Sequence, residues 1–232
     1  MSVSNPFKPS AGAMPPILIG RRHALDLFHD ALTGMGETRL LLTGVSGAGK
    51  TVLLTMLDRM GETHGWTTLD ETASQGWVER LENRSSQTGA VERLLVTVDE
   101  IQAANRDELA RFDRLLERLG ETCRVVCACA GLTPPEYDLH ARHVIVDGLP
   151  EPEIGEAFTL TFDRTGITLT PVDARRMAAA THGYAYMTQL VGYHVWRTVR
   201  RHHGSGLVEA DAGDVTSGIR DARIRLARNM MG

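Results

Sequence analysis

RLLLTGVSGAGKTVLLTMLDRM, residues Arg39 to Met60, decides the fold. Leu40, Leu41 and Leu42 form a short apolar run that closes on Gly44, the pattern of a buried strand. Val52, Leu53, Met56, Leu57 and Met60 then recur at helical spacing. Between strand and helix, Gly44-Val45-Ser46-Gly47-Ala48-Gly49-Lys50-Thr51 matches G-x-x-x-x-G-K-[ST] in full. Glycines let the backbone turn tightly, so successive N–H groups converge on an anion at the helix N-terminus. The motif predicts a polyphosphate cradle running from Gly44 to Val52. Lys50 is expected on the β- and γ-phosphate oxygens, and the Thr51 hydroxyl on Mg²⁺. Of 25 basic side chains only Lys8 and Lys50 are lysine. Arginine thus serves wherever a generic charge is needed, and the loop takes the compact ammonium on its flexible stem.

Outward from this stretch, apolar strands alternate with helices. Strands are expected at residues 66–70, 93–100, 124–131 and 143–148, and helices at 21–35, 50–64, 74–87 and 107–119. Alternation of this kind predicts an α/β fold, a parallel sheet covered on both faces. From residue 151 the pattern is helical throughout, at 151–164, 171–182, 184–203 and 214–230. Three segments follow: a flexible Pro/Ser/Gly tail at 1–16, an α/β domain at 17–148 and a small helical domain at 149–232. The run LLVTVDE ends in Asp99 and Glu100. In a parallel sheet, ligands bind outside the carboxyl ends of the strands. Asp99 is therefore expected beside the cradle as a metal ligand, and Glu100 as the group that orients or deprotonates an attacking water.

Composition excludes several classes. With 42% hydrophobic and 23% charged residues, the 232-residue chain is neither disordered nor collagen-like. No apolar run approaches the roughly 20 residues of a membrane span, and MSVSNPFKPSAGAMPP holds no signal-peptide core. A cytoplasmic protein without a membrane partner is expected. The net charge of −4 argues against a general polyanion-binding surface. Cys123, Cys127 and Cys129 fall in or beside a strand, so core packing is expected of them and no metal or redox cluster. The nine histidines show no H-E-x-x-H or similar ligand spacing. Arg197, Arg200, Arg201, His202 and His203, and then Arg220, Arg223, Arg225 and Arg228, make two basic runs. A solvated face is expected of them, with phosphate contacts as the alternative. No N-K-x-D run supports guanine recognition.

Five stretches together carry a family resemblance: ILIGRR, TGVSGAGKTVLL, LLVTVDEIQ, the strand closing in AGLTPP, and HGYAYMTQLVGYHVW. Spanning Ile17 to Thr198, the sequence resembles the AAA+ superfamily of P-loop ATPases, near its replication-initiator-like and STAND-type members. The resemblance implies a five-stranded sheet of order 5-1-4-3-2 with a helical lid, ATP or ADP with Mg²⁺, and association of copies on ATP binding. It implies that Ile19, Gly20 and Arg21 contact adenine, and that Arg142 is an arginine finger acting on a neighbouring copy. It also shows departures. Ala130 and Gly131 stand where the family places a polar sensor, with Thr133 the nearest hydroxyl, and Gly183 to Leu190 lacks the lid arginine. Tyr184 or Tyr186 is a second candidate near the nucleotide, with core packing the favoured role. Relatives continue into an effector domain where this chain reaches Gly232, so a DNA or effector-protein partner stays unidentified. Two functions remain in view: a slow Mg²⁺-dependent ATPase with Lys50, Glu100 and Arg142 as catalytic groups, and a nucleotide-gated interaction module with little hydrolysis.

Overall fold

Along Arg39–Thr43 the side chains alternate between two apolar layers: Leu40 and Leu42 join one cluster, Leu41 the other. The strand is buried on both faces, and it pairs on both sides within its sheet. β1 (Arg39–Thr43), β2 (Thr67–Thr72), β3 (Arg93–Asp99), β4 (Arg124–Gly131) and β5 (Arg142–Ile145) form one parallel sheet in the order β2-β3-β4-β1-β5. This is the 5-1-4-3-2 order, met from the other edge. The register sets Leu41 beside Cys129 on one side and His143 on the other. The computed structural model describes residues 4–10 and 12–231, the last two by backbone alone. The rest of the expected tail and the chain's end at Gly232 lie outside the described residues.

Helices cover both faces. α1 (Arg22–Thr33) and α2 (Lys50–Thr63) bury Phe28, Leu53 and Leu57 against Leu40, Leu42, Leu95 and Val126. On the other face, α3 (Trp77–Gln87) and α4 (Arg106–Gly120) bury Trp77, Phe112 and Leu116 against Leu41, Val96 and Val98. α4 starts in a capping box: the Asn105 side chain accepts from the Glu108 N–H, and Glu108 Oε2 accepts from the Asn105 N–H, both at 3.0 Å. Cys127 and Cys129 lie on one face of β4 with sulfurs 3.8 Å apart, and both are buried. Their mutual hydrogen bond, then burial, holds the Cys129 thiol well above its ordinary pKa, the signature of packing rather than reactivity.

By its contacts the chain divides after Val146, into Arg22–Val146 and a second unit that joins the residues through Arg21 to those from Asp147 onward. The sequence drew its border at 148 and placed residues 17–21 with the sheet; in the structure they go with the helices. That second unit contains α5 (Glu151–Asp163), α6 (Pro171–Thr181), α7 (Ala185–His203) and α8 (Ala212–Met231). It is not purely helical, as the sequence suggested. β6 (Ile167–Thr168) and β7 (Val208–Glu209) form a two-residue parallel ladder that joins the connections after α5 and α7. Runs this short carry no periodicity to read.

The expected flexible tail also needs correction around Phe7, which is 3% exposed. Its ring lies 5.9 Å from that of Phe158 and 5.4 Å from that of Phe162. Asn5 Nδ2 donates to the Tyr193 carbonyl at 3.0 Å, and the Phe7 N–H returns to Asn5 Oδ1 at 3.0 Å. Room for the ring exists because residue 192 is glycine; a Cβ there would sit 2.4 Å from the Phe7 ring. Among the described residues no helix is long and apolar enough to cross a membrane.

Candidate functional site

The loop from Gly44 to Gly49 leaves β1 and enters α2, as the motif requires. Gly47 (φ 74°) and Gly49 (φ 100°) adopt left-handed conformations that side chains resist. Gly49 is also the N-cap of α2 and, being glycine, brings no side chain of its own to cap that helix end. A helix N-terminus carries partial positive charge and N–H donors suited to an anion. Lys50 is 9% exposed, and its ammonium folds back on the loop, donating to the Gly44 carbonyl at 2.8 Å and the Val45 carbonyl at 2.9 Å. Burial lowers the Lys50 pKa from its ordinary value, while Asp99 and Glu100, both close enough to matter, pull it back up. The Thr51 hydroxyl donates to Asp99 Oδ2 at 2.6 Å. Sequence residues 48 apart therefore meet at the carboxyl ends of β1 and β3. Thr51 and Asp99 offer the all-oxygen donors that Mg²⁺ prefers, and Lys50 offers a cation for phosphate; the residues present fit both groups.

Glu100 follows β3 in a left-handed conformation (φ 57°), rare for a non-glycine residue and typical of functional positions. Its carboxylate accepts from Gln102 Nε2 at 2.5 Å. The other end of that amide, Oε1, accepts from the Leu132 N–H at 3.1 Å, just past β4. Because Leu132 supplies a donor, the amide must turn its NH₂ toward Glu100. Gln102 also explains Gly131: a Cβ there would lie 2.9 Å from Gln102 Oε1. Gln102, which the sequence reading did not single out, thus sets a polar amide beside the apolar end of β4. Its only signal was proximity to Glu100 in the run DEIQ. Thr133 is exposed.

Not every expected residue joins this cluster. Arg142 is exposed and opens β5, in register with Leu40 at the start of β1. It therefore lies at the amino end of its strand, whereas the loop leaves the carboxyl end of β1. Ile19, Gly20 and Arg21 belong to the helical unit. There the Gly20 N–H donates to Glu153 Oε2 at 2.8 Å, Ile19 packs on the helical core, and Arg21 is buried near Asp147. Burial is the main cause lowering the Arg21 pKa, with Asp147 opposing. Tyr184 and Tyr186 pack on the same core, their rings 6.2 Å apart. Part of the first basic run is likewise structural. Arg200 donates to the Gly204 and Gly206 carbonyls at 3.0 and 2.8 Å and to that of Thr165, stapling the connection after α7.

No family model matches the chain, and no curated protein does. Solved structures match it well in shape. The RuvB Holliday junction branch migration motor of Thermotoga maritima superposes with a TM-score of 0.66 at 14% identity, covering 86% of this chain and 67% of its own. C. elegans PCH-2 gives 0.60 at 13% identity, over 89% and 68%. The Aeropyrum pernix ORC1 protein, solved in complex with DNA, gives 0.61 at 17% identity, over 93% and 67%. At such low identity these likenesses show the fold alone, which this chain shares with RuvB, PCH-2 and ORC1.

Proposed function

We propose that this chain binds an adenine nucleotide with Mg²⁺ in the loop after β1 and hydrolyses ATP slowly to drive a conformational or assembly switch. One observation carries the reading: Lys50 and Thr51 converge with Asp99 and Glu100, distant from them in sequence, at the N-terminus of α2. Lys50 would leave the Gly44 and Val45 carbonyls to donate to the terminal phosphate oxygens. Thr51 and Asp99 would hold Mg²⁺, which when bound neutralises charge on those phosphates. The N–H groups of Val45 to Val52 would line the anion. Glu100 would take a proton from the water that attacks the γ-phosphorus as ADP leaves. Gln102 would keep one Glu100 oxygen engaged and the other turned to that water. Following the resemblance, Ile19, Gly20 and Arg21 would contact adenine, and Arg142 would act on the nucleotide of a second copy.

A second reading, a nucleotide-gated interaction module with incidental hydrolysis, is favoured by the apolar end of β4 at Ala130 and Gly131. DNA is one partner to test in either reading, since a fold relative was solved with it. Calorimetry with ATP and ADP, followed by steady-state turnover of wild type and Glu100→Gln, decides between them. Binding retained with turnover lost in Glu100→Gln supports the ATPase. Tight binding with equally negligible turnover in both proteins supports the module. No adenine nucleotide uptake by wild type overturns both.

A further inference from the structure

Away from the cradle, α7 ends in His202 and His203, and α8 begins just after Asp211. Among the described residues, His203, Asp211 and Asp214 bring one ligand atom each within 4.8 Å of the others. We propose that these three side chains bind a divalent transition ion of the zinc class, with His202 orienting Asp214 from behind.

The charge pattern is the first argument. The Asp214 side chain is 1% exposed, and its ion-pair partners among the described residues are His202 and His203. In a chain that uses arginine for almost every cation, a buried carboxylate meets two imidazoles instead. Arginine gives a permanent charge but cannot ligate a metal; neutral imidazole leaves the charge open and can. Asp211 and Asp214 bring two carboxylates to one place, and one divalent ion would balance them.

Geometry is the second. His203 Nε2 lies 2.8 Å from Asp214 Oδ2 and 3.9 Å from Asp211 Oδ2. Bonds of about 2.0–2.1 Å at tetrahedral angles need ligand separations of about 3.3–3.4 Å. The two spacings from His203 bracket that value, and the three ligand atoms all lie within 4.8 Å of one another. Asp211 is already fixed for the task. Its Oδ1 accepts the Asp214 N–H at 2.7 Å, which leaves Oδ2 facing His203. His202 Nδ1 lies 2.6 Å from Asp214 Oδ1, the oxygen not offered to the ion. Such a partner sets a ligand's orientation. The backbone between the helices is held as well, by Arg200 and by Val208 N–H and Ala210 N–H bonds to the Gly166 and Thr168 carbonyls. His203 and Asp211 remain partly exposed, so an ion can enter and water can take the fourth corner.

One imidazole with two carboxylates is a borderline set, better suited to Zn²⁺ or Co²⁺ than to Mg²⁺. The ion would clip the end of α7 to the start of α8.

The test uses the full chain with Zn²⁺ alone, titrated against a chromophoric chelator, and with Co²⁺ alone, read by its visible absorption. One equivalent is expected to bind, with the intense absorption of tetrahedral cobalt. Asp211→Asn keeps a good helix cap, so it folds while losing a charged ligand. It and His203→Ala are each expected to weaken Zn²⁺ binding at least about 100-fold, and His202→Ala about 10- to 100-fold. Asp99→Asn, in the other unit, is expected to leave both signals unchanged. Wild-type affinity no tighter than that of Asp211→Asn, or a cobalt signal lost only in Asp99→Asn, overturns the proposal and leaves the cluster an ion pair.

Discussion

The two units of this chain do chemistry and stability in opposite ways. In Arg22–Val146 the apolar residues stand in contiguous runs, and the candidate site hangs on the loops where those runs end. In the helical unit, cohesion comes from partners far apart in sequence, such as Phe7 with Phe158, Phe162 and Gly192. The contrast teaches that a motif marks where chemistry is local, while long-range packing leaves little trace in any one segment.

Phe7→Ala puts the most weight on this contrast. Losing a fully packed ring is expected to cost the helical unit about 3 kcal/mol. Hydrogen exchange should speed up in α5 and α7 and stay unchanged in β1, β3 and β4; equal loosening of both would break the division into units. Lys50→Ala attacks the other side. Removing charge-assisted bonds of about 1.5–3 kcal/mol is expected to weaken ATP binding about 10- to 150-fold. Unchanged affinity in calorimetry would leave the loop without its role.

Gln102→Ala sharpens the picture within the α/β unit. Turnover is expected to fall about tenfold, roughly 1.4 kcal/mol, with ATP affinity held. Restoration by Gln102→Asn would be partial, since the shorter amide cannot reach both Glu100 and Leu132. A fall in affinity with turnover intact would assign Gln102 to binding instead.

The smallest effect concerns Asp58 on α2, whose Oδ1 accepts from the Thr97 hydroxyl at 3.0 Å. Burial, helped by nearby Asp70 and Glu62, pushes its carboxyl up to about 6 against the opposing Thr97 bond. A raised carboxyl means the folded chain keeps a proton that the unfolded chain has lost between about pH 4 and 6. Stability therefore falls as pH rises through that window and stays lower above it. Asp58→Asn is expected to remove this fall and to exceed wild type by about 1 kcal/mol at pH 7.5, after allowing for solvent screening. Urea denaturation at pH 4 and 7.5 checks it; a gap that widens toward acid would reverse the sign.

Legibility followed the same divide. β1, β3, β4 and α2 were readable because their apolar residues are neighbours in sequence, and Asp99 and Glu100 because they end such a run. β5 came out shorter than read, at Arg142–Ile145, since HVIVDG continues apolar past its last ladder partner at Thr43. Gln102 escaped because its importance depends on the Leu132 N–H and the empty side of Gly131. Asp211 and Asp214 escaped because their nearness to His203 depends on how α7 turns back into α8.

By itself, the amino-acid sequence determined the alternation of strands and helices through the five-stranded sheet and the loop that would cradle phosphate. Those depend on periodicity and on glycine and lysine at fixed offsets, which act within a few residues. Only the tertiary structure decided that Thr51 meets Asp99, that Gln102 grips Glu100, that Arg142 stands in register with Leu40 rather than with the loop, and that Phe7 is part of a core. Each of those depends on distances between chain segments, and such distances exist only after the strands have taken their register and the helices their packing.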